Sequence, residues 1–283
     1  MNFRAFQAMQ RVAEIGDRFI SYVDEGSGEP LILLHGMPVW GYLWAPMLPR
    51  LSSECRLLIP DLPGYGYSDK SDRFDRSLAR QTEMIEAWMA QIGVEQASIA
   101  GHGIGGGVAL RLATLSSHRV KRLCLFSPVC YDSWPTETFW DLGRADTHRR
   151  YSTSDMMMFV RQHLKEQFAC SPGDEVLDNL LAPYSTAVGK LSLIRDISAF
   201  NTNMTTEITA LLPMITAPTL ILWGEDDFMQ PIKYGERLAL DIPGARLIRL
   251  KNARYFTMLD TEATVAGYIR DFMHGQAVSD GDR

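Results

Sequence analysis

The chain has 283 residues, of which 46% are hydrophobic, so it can bury a large core without a metal or a disulfide. Its 34 acidic residues outnumber its 28 basic ones, and the net charge of -6 comes with no basic block. This balance disfavours nucleic acid and anionic membranes as partners. The sequence opens with no signal-peptide pattern, and no apolar run approaches the roughly 20 residues of a membrane span.

Short apolar runs alternate with longer segments of helical periodicity, which predicts an α/β fold with a mostly parallel sheet flanked by helices. Alternation around Glu14 indicates an antiparallel strand at the start. The predicted strands that follow cover residues 19–23, 31–34, 56–59, 97–100, 120–126, 219–223 and 246–250. The predicted helices cover residues 78–92, 104–115, 234–241 and 261–273.

The strand pattern stops after residue 128, and a segment rich in Met, Trp, Tyr and Phe with helical periodicity follows. We interpret residues 129–212 as a helical cap inserted between two core segments, residues 1–128 and 213–283. A cap over the carboxyl ends of the strands encloses a site and excludes water. Its composition predicts a hydrophobic small molecule as substrate or ligand, with Trp134 and Trp140 facing the pocket. Ordinary packing of the cap onto the core is the alternative explanation.

Four cysteines, Cys55, Cys124, Cys130 and Cys170, show neither CxxC spacing nor a paired framework. The pattern predicts free thiols in a reducing compartment, and we expect a cytoplasmic protein. No cluster has the spacing of metal ligands, and no glycine-rich loop has the context of a nucleotide-binding motif. We expect no cofactor and no metal, and either a monomer or a homodimer.

The segment AGHGIGG at residues 100–106 is the most informative part of the chain. A strand-like run leads into it, a helix-like run follows, and small residues permit the tight turn of a nucleophile elbow. Such an elbow holds a Ser, Asp or Cys in a strained backbone conformation. The position is Gly103 here, which tolerates the conformation and offers no nucleophilic atom.

Four further motifs accompany the elbow in a fixed order: LLHGMP at residues 33–38, IPDLPGYGYSDK at residues 59–70, LWGEDD at residues 222–227 and KNARYF at residues 251–256. With them the chain resembles the α/β-hydrolase superfamily, and within it the branch of haloalkane dehalogenases, epoxide hydrolases and related esterases. The resemblance implies an α/β-hydrolase fold with an inserted cap. It does not by itself imply the reaction, because this fold hosts many chemistries.

The resemblance also assigns roles position by position, and the resulting catalytic triad is degenerate. Gly103 stands at the nucleophile position and Tyr255 at the catalytic histidine, with Arg254 replacing the glycine before it. Asp227 matches the triad acid. Covalent hydrolysis needs both a nucleophile and a base near neutral pKa, so the loss of the two together removes it. Tyrosine, with a pKa near 10, still serves as a hydrogen-bond donor or general acid.

The oxyanion donors of the family are backbone amides, and the matching positions are Met37 and Ile104. The same two residues replace the halide-binding Asn and Trp of many dehalogenases, which argues against dehalogenation. His35 and His102 lie beside the oxyanion and elbow positions and are candidates for handling a proton. In the family both residues usually pack the turns, and that is the alternative for each.

Two functions remain open at this point. The first is an enzyme without a covalent nucleophile, in which Asp227, Tyr255 and Arg254 perform acid/base ring opening, cyclisation, elimination or water addition on a hydrophobic molecule. The second is a catalytically inactive hydrolase-fold protein that binds a small apolar ligand or a partner protein. The sequence favours the enzyme, because an apolar cap above a retained Asp227 implies an enclosed small molecule.

Overall fold

The computed structural model describes residues 1–276, and the last part of the predicted second core segment, residues 277–283, lies outside them. Eight strands form one sheet in the described residues. They are β1 (Gln10–Ile15), β2 (Arg18–Glu25), β3 (Glu29–Leu34), β4 (Cys55–Pro60), β5 (Ala97–His102), β6 (Val120–Phe126), β7 (Thr219–Gly224) and β8 (Arg246–Leu250).

The sheet order is β1-β2-β4-β3-β5-β6-β7-β8. β1 pairs with β2 and β2 with β4 in antiparallel fashion, whereas all other neighbours are parallel. The central parallel strands β5 and β7 are buried along their whole length, as expected for a sheet covered by helices on both faces. The predicted fold class, a mostly parallel sheet flanked by helices with an antiparallel strand at its start, is confirmed.

Thirteen α-helices surround the sheet within the described residues. Before the cap they are α1 (Phe3–Ala8), α2 (Leu48–Leu51), α3 (Leu78–Gln91) and α4 (Ile104–Leu115). Between β6 and β7 they are α5 (Glu137–Leu142), α6 (Thr147–Arg150), α7 (Thr153–Glu166), α8 (Asp174–Leu181), α9 (Ala187–Ser198) and α10 (Asn203–Thr206). The last three are α11 (Lys233–Asp241), α12 (Thr257–Asp260) and α13 (Glu262–Met273). Short 3-10 helices cover Gly41–Met47, Ser117–Arg119, Ala182–Tyr184 and Thr209–Met214.

Helix α4 packs so closely on the sheet that its first turn has no room for side chains on one side. A Cβ at Gly105 would overlap the backbone of Leu34 and His35 at the end of β3. The Gly105 N–H donates to the carbonyl oxygen of His35 at 3.1 Å. This contact ties the start of α4 to the loop after β3, so the elbow and the predicted oxyanion segment lie side by side.

The chain between β6 and β7 holds helices and no strand, and a buried ion pair anchors it to the core. Arg76, in the loop before α3, donates to Asp196 of α9 at 2.6 Å and to the Ser192 hydroxyl at 2.7 Å. The two charged side chains are 4% and 0% exposed. The limits of the cap, residues 129–212, stay a prediction. None of the helices in residues 1–276 combines the length and the apolar character that crossing a membrane requires.

Candidate functional site

The candidate site lies where strand order reverses in the sheet. β3 is flanked by β4 on one side and β5 on the other, so the chain leaves β3 and β5 at a topological switch point. Loops at the carboxyl ends of such strands form the crevice in which α/β proteins bind ligands. Met37 follows β3 and Gly103 follows β5, and both residues reach this crevice.

Gly103 adopts the strained backbone of an elbow, with φ 54° and ψ -118°. Its φ lies in the region that only glycine enters without a steric cost. The space beside it is not empty, because a Cβ built at Gly103 would overlap the hydroxyl oxygen of Tyr255. The tyrosine hydroxyl therefore occupies the position that a nucleophile side chain would take.

Tyr255 is buried, and its environment keeps its hydroxyl neutral. The ring lies 4.3 Å from the His102 ring and 5.1 Å from the Phe256 ring, measured between centroids. Burial, and to a lesser extent the nearby carboxylate of Asp227, raises the pKa of the Tyr255 phenol above its usual value. Within residues 1–276 the hydroxyl forms no hydrogen bond, so it fills space beside Gly103 without a polar partner.

The two histidines near the elbow are buried, and both hydrogen-bond to backbone groups. The Nδ1–H of His35 donates to the Gly36 carbonyl at 2.8 Å, and its Nε2 accepts from the Leu62 N–H at 2.9 Å. His102 donates through Nε2 to the Tyr255 carbonyl at 3.1 Å. Burial lowers the pKa of His35 to about 4 and that of His102 to about 3. Both rings are thus uncharged at neutral pH, and these contacts favour the packing role.

Asp227 follows β7 and uses its carboxylate to hold its own loop. One oxygen accepts the backbone N–H groups of Met229 and Gln230, each at 2.9 Å, and the other accepts the Ser127 hydroxyl at 2.7 Å. Burial raises the pKa of Asp227 to about 7, although these three hydrogen bonds oppose the shift. Within the described residues no direct hydrogen bond joins Asp227 to the Tyr255 hydroxyl.

The predicted oxyanion donors keep their hydrogen-bonding capacity. Ile104 is the first residue of α4 and Met37 lies in the loop after β3. Within residues 1–276 the backbone N–H of neither residue donates to another protein group. Free N–H groups at a helix start attract an anion or a polarised carbonyl oxygen. Within the described residues, both N–H groups are thus without a protein acceptor beside the cavity that Met37 and Ile104 line.

The cavity at this site has a volume of about 30 Å³. That is room for one or two water molecules, whereas pockets for organic ligands measure about 300–1,000 Å³. Met37, Ile104 and Tyr255 form its core side. Its cap side is mostly apolar, with Val129, Trp134, Pro135, Phe139 and Phe200, and also includes Thr136. In this structure the elbow is closed to organic substrates.

Two predicted site residues lie elsewhere. The guanidinium of Arg254 donates to the carbonyl oxygens of Glu166 and Phe168, at 3.0 and 3.2 Å, at the end of α7. It does not line the cavity, because it satisfies the carbonyls that α7 leaves unpaired at its C-terminus. Trp140 is 68% exposed, so the prediction that it faces the pocket is wrong, whereas Trp134 does line the cavity. The periodicity of the short helix α5 turns Phe139 inwards and Trp140 outwards.

Sequence reasoning missed Ser127, the hydroxyl partner of Asp227. This serine directly follows β6, has a positive φ of 40°, is fully buried, and lies 100 residues before its partner. Its place immediately after a central parallel strand is the one signal that points to the crevice. Phe200 was also missed; it packs on Trp134 at a ring separation of 5.0 Å and closes the cap side of the cavity.

A family model described as alpha/beta hydrolase fold matches residues 29–261. Among characterised proteins, haloalkane dehalogenase 2 of Mycobacterium bovis is 25% identical over 261 residues, covering 88% of this chain and 90% of the dehalogenase. The cis-3-alkyl-4-alkyloxetan-2-one decarboxylase of Shewanella oneidensis is 24% identical, covering 90% of this chain and 85% of that protein. An alpha/beta hydrolase fold protein from Burkholderia ambifaria has a similar crystal structure, with a TM-score of 0.85, 25% identity, and coverage of 93% and 99% of the two chains.

Proposed function

We propose that this chain, which belongs to the alpha/beta hydrolase fold family, is a catalytically inactive member that binds a small apolar ligand. One observation carries the proposal: the Tyr255 hydroxyl occupies the place of a side chain at Gly103. A substrate carbonyl or carbon–halogen bond has no room to approach the elbow, and the elbow has no atom that would attack it. The sequence alone favoured an enzyme, and the small cavity of about 30 Å³ reverses that preference.

The lack of a suitable base supports the same proposal. A general base works best with a pKa near the operating pH and within hydrogen-bond reach of the proton that it removes. His35 and His102 have pKa values of about 4 and about 3, and neither lines the cavity. Asp227 has a pKa of about 7, but its oxygens are engaged by Ser127 and by two backbone N–H groups.

The class of ligand follows from the family and from the cap. The two relatives described above carry the names of enzymes that act on haloalkanes and on an alkylated oxetanone, which are small organic molecules. By analogy the ligand of this protein is a small organic molecule of apolar character. A partner protein is the other ligand that the sequence left open.

An acid/base enzyme is the second candidate, and the unpaired N–H groups of Met37 and Ile104 favour it. Two such donors stabilise the oxyanion of an enolate or an opened ring, and a neutral phenol at Tyr255 donates a proton to it. Ring opening, cyclisation, elimination and water addition all fit this arrangement. Each of them requires the cap to move first, because a cavity of about 30 Å³ admits no organic substrate.

The proposal is tested by turnover and by covalent trapping. We expect purified protein to release no p-nitrophenol burst from p-nitrophenyl butyrate and no bromide from bromohexane. We also expect intact-mass spectrometry to find no adduct. A stoichiometric burst or an adduct on residues 100–106 would overturn the proposal. Slow turnover of an epoxide or a cyclisable ketone that Tyr255→Phe abolishes would replace it with the acid/base enzyme.

We also propose that the protein works in a reducing compartment, with the cytoplasm as its site, as a monomer or a homodimer and without a resident cofactor. The state of its cysteines supports the compartment, since Cys55, Cys124, Cys130 and Cys170 are all free thiols. Mass measurement of protein from native extracts, with and without thiol alkylation, tests this directly. A disulfide-linked form in those extracts would contradict it.

A further inference from the structure

A groove of about 480 Å³ lies between the cap and the core, and its lining shares no residue with that of the elbow cavity. Its core side comes from the 3-10 helix Gly41–Met47, from α2 and from the residues around α12. Its cap side comes from α8 and the chain just before it. The volume falls within the range of sites for organic ligands, about 300–1,000 Å³.

Three aromatic rings separate this groove from the elbow. Phe168 lines the groove and stacks on Phe256 at 4.8 Å, and Phe256 meets the edge of the Tyr255 ring at 5.1 Å. All three side chains are buried. A molecule in the groove therefore lies behind a wall of packed rings and does not reach Gly103, so the groove is a separate site.

The residues that line the groove are mostly apolar. Residues from core and cap contribute, among them Tyr42, Pro49, Phe168, Val176, Leu180 and Leu259. Val176, in the first turn of α8, is 37% exposed. An apolar ligand would cover this side chain and gain about 25 cal/mol for each Å² of apolar surface removed from water.

The charges along the groove cancel or are already engaged. Arg50 donates through Nη2 to Glu262 at 3.0 Å, and both oxygens of Asp260 accept backbone N–H groups, from Ala169 and Arg254. An ionic ligand would lose hydration here and would have to compete with these existing contacts for the charged side chains. Within residues 1–276, however, Nη1 and Nε of Arg50 have no acceptor. Nη1 is thus available to donate to a neutral carbonyl oxygen.

We propose that this groove binds an uncharged carbonyl compound with an apolar or aromatic body, whose carbonyl oxygen accepts from Arg50. The inference rests on the proposed function, since it names the site and the chemical class of the ligand that an inactive hydrolase-fold protein would bind. The apolar body lies along Val176, Leu180 and Leu259. The ligand bridges cap and core without entering the elbow.

The naphthyl ketone Prodan tests the site, because it is uncharged, carries one carbonyl group, and shifts its emission to the blue in apolar surroundings. We expect wild-type protein to bind one Prodan saturably. Val176→Asp, which places a charge in the groove, should raise the Kd at least tenfold. Val188→Asp is the matched control: Val188 is 63% exposed, lies in the first turn of cap helix α9, and does not line the groove. Its Kd should stay within twofold of the wild-type value.

A second variant tests the chemical class. Arg50→Met should raise the Kd of Prodan threefold to tenfold and leave that of phenylnaphthylamine, which has no carbonyl group, unchanged. If Arg50 acted only by holding Glu262 and α13 in place, both probes would weaken together. Tighter binding of the anionic probe anilinonaphthalene sulfonate than of Prodan would overturn the uncharged class.

The outcomes separate this inference from the proposed function. Absence of saturable Prodan binding by wild-type protein, or equal weakening by Val176→Asp and Val188→Asp, overturns the groove as the site. Hydrolysis of p-nitrophenyl butyrate by wild-type protein overturns the closed elbow and leaves the Prodan result standing. Val176→Asp alters the groove and not the elbow cavity, because Val176 does not line the elbow cavity.

Discussion

The elbow and the groove both lie between the cap and the core, and they differ more than tenfold in volume, about 30 against about 480 Å³. At the elbow, Tyr255 from the core meets a row of cap aromatics, including Trp134 and Phe139, and together they fill the crevice. At the groove, the cap presents smaller side chains such as Val176, and a cleft remains. The same insertion therefore closes one site and leaves another open.

This difference distinguishes the residues that shape the elbow from the groups that would carry out a reaction there. His35 and the strained turn at Gly103 persist at the elbow because the loops and α4 need them to pack. A nucleophile atom at residue 103 has no such packing role, so the turn forms with glycine there. An elbow motif therefore predicts the turn better than it predicts the reaction.

The largest expected effect comes from cutting the buried contact that holds the cap over the elbow. Arg76→Met should lower the free energy of unfolding by about 3–5 kcal/mol, because it leaves Asp196 buried without its cation. Chemical denaturation followed by tryptophan fluorescence measures this loss. The double variant Arg76→Met/Asp196→Leu removes both charges and should recover most of the stability. Equal instability of the single and double variants would show that the ion pair does not anchor the cap.

Restoring a side chain at the elbow should cost somewhat less. Gly103→Ser should lower the free energy of unfolding by about 3 kcal/mol, because left-handed backbone strain adds to the overlap with Tyr255. Gly16→Ser is the matched control, since Gly16 has φ 63° and nothing lies within 4 Å of its Cβ position. The control should lose only about 1 kcal/mol.

A double-mutant cycle between Gly103→Ser and Tyr255→Ala sharpens that prediction. Truncating Tyr255 removes the overlap, so the two changes should be less destabilising together than their sum, by about 1–2 kcal/mol. Urea denaturation of the four proteins gives the coupling energy. Strict additivity would mean that the tyrosine hydroxyl does not occupy the side-chain position of residue 103.

Asp227 should make stability depend on pH in the direction opposite to the histidines. Its folded pKa of about 7 lies above the usual value of 3.8, so the folded state holds an extra proton between these limits and its stability falls as pH rises through 7. His35 and His102, with lowered pKa values, cost stability below about pH 6.5. The free energy of unfolding should therefore fall less between pH 5 and pH 8 in Asp227→Asn than in wild type, by on the order of 2 kcal/mol.

Comparison of the two proteins by urea denaturation at each pH isolates the Asp227 contribution, because the histidine contribution is common to both. Parallel stability curves for wild type and Asp227→Asn across this range would contradict the raised pKa. Ser127→Ala gives a further check, since the loss of its hydrogen bond should raise the pKa of Asp227 further.

The smallest expected effect is that of Tyr255→Phe. The Tyr255 hydroxyl has no hydrogen-bond partner within residues 1–276, so its removal should change the free energy of unfolding by less than about 1 kcal/mol. Ser127→Ala, by contrast, breaks a buried hydrogen bond to Asp227 and should cost about 1–3 kcal/mol. Thermal unfolding measures both. A larger loss for Tyr255→Phe than for Ser127→Ala would mean that the phenol has a polar partner.

Much of the fold could be predicted from the sequence because its signals are local. Period-2 runs, helical periodicity and the elbow turn depend on residues a few positions apart, and the helix predicted at residues 104–115 matches α4 at both ends. The helix predicted at residues 261–273 matches α13, Glu262–Met273, to within one residue. The short helix α12 before it was not predicted, because four residues make only about one turn and show no period.

The candidate site residues Gly103, Asp227 and Tyr255 could likewise be named from the sequence, because they are single residues inside ordered motifs. What the side chains do there was decided only by the tertiary structure. Tyr255 fills the space beside Gly103, Asp227 binds Ser127, and Arg254 turns to the end of α7. Each contact joins segments far apart in the chain, and packing selects one side-chain direction among several that the local backbone permits.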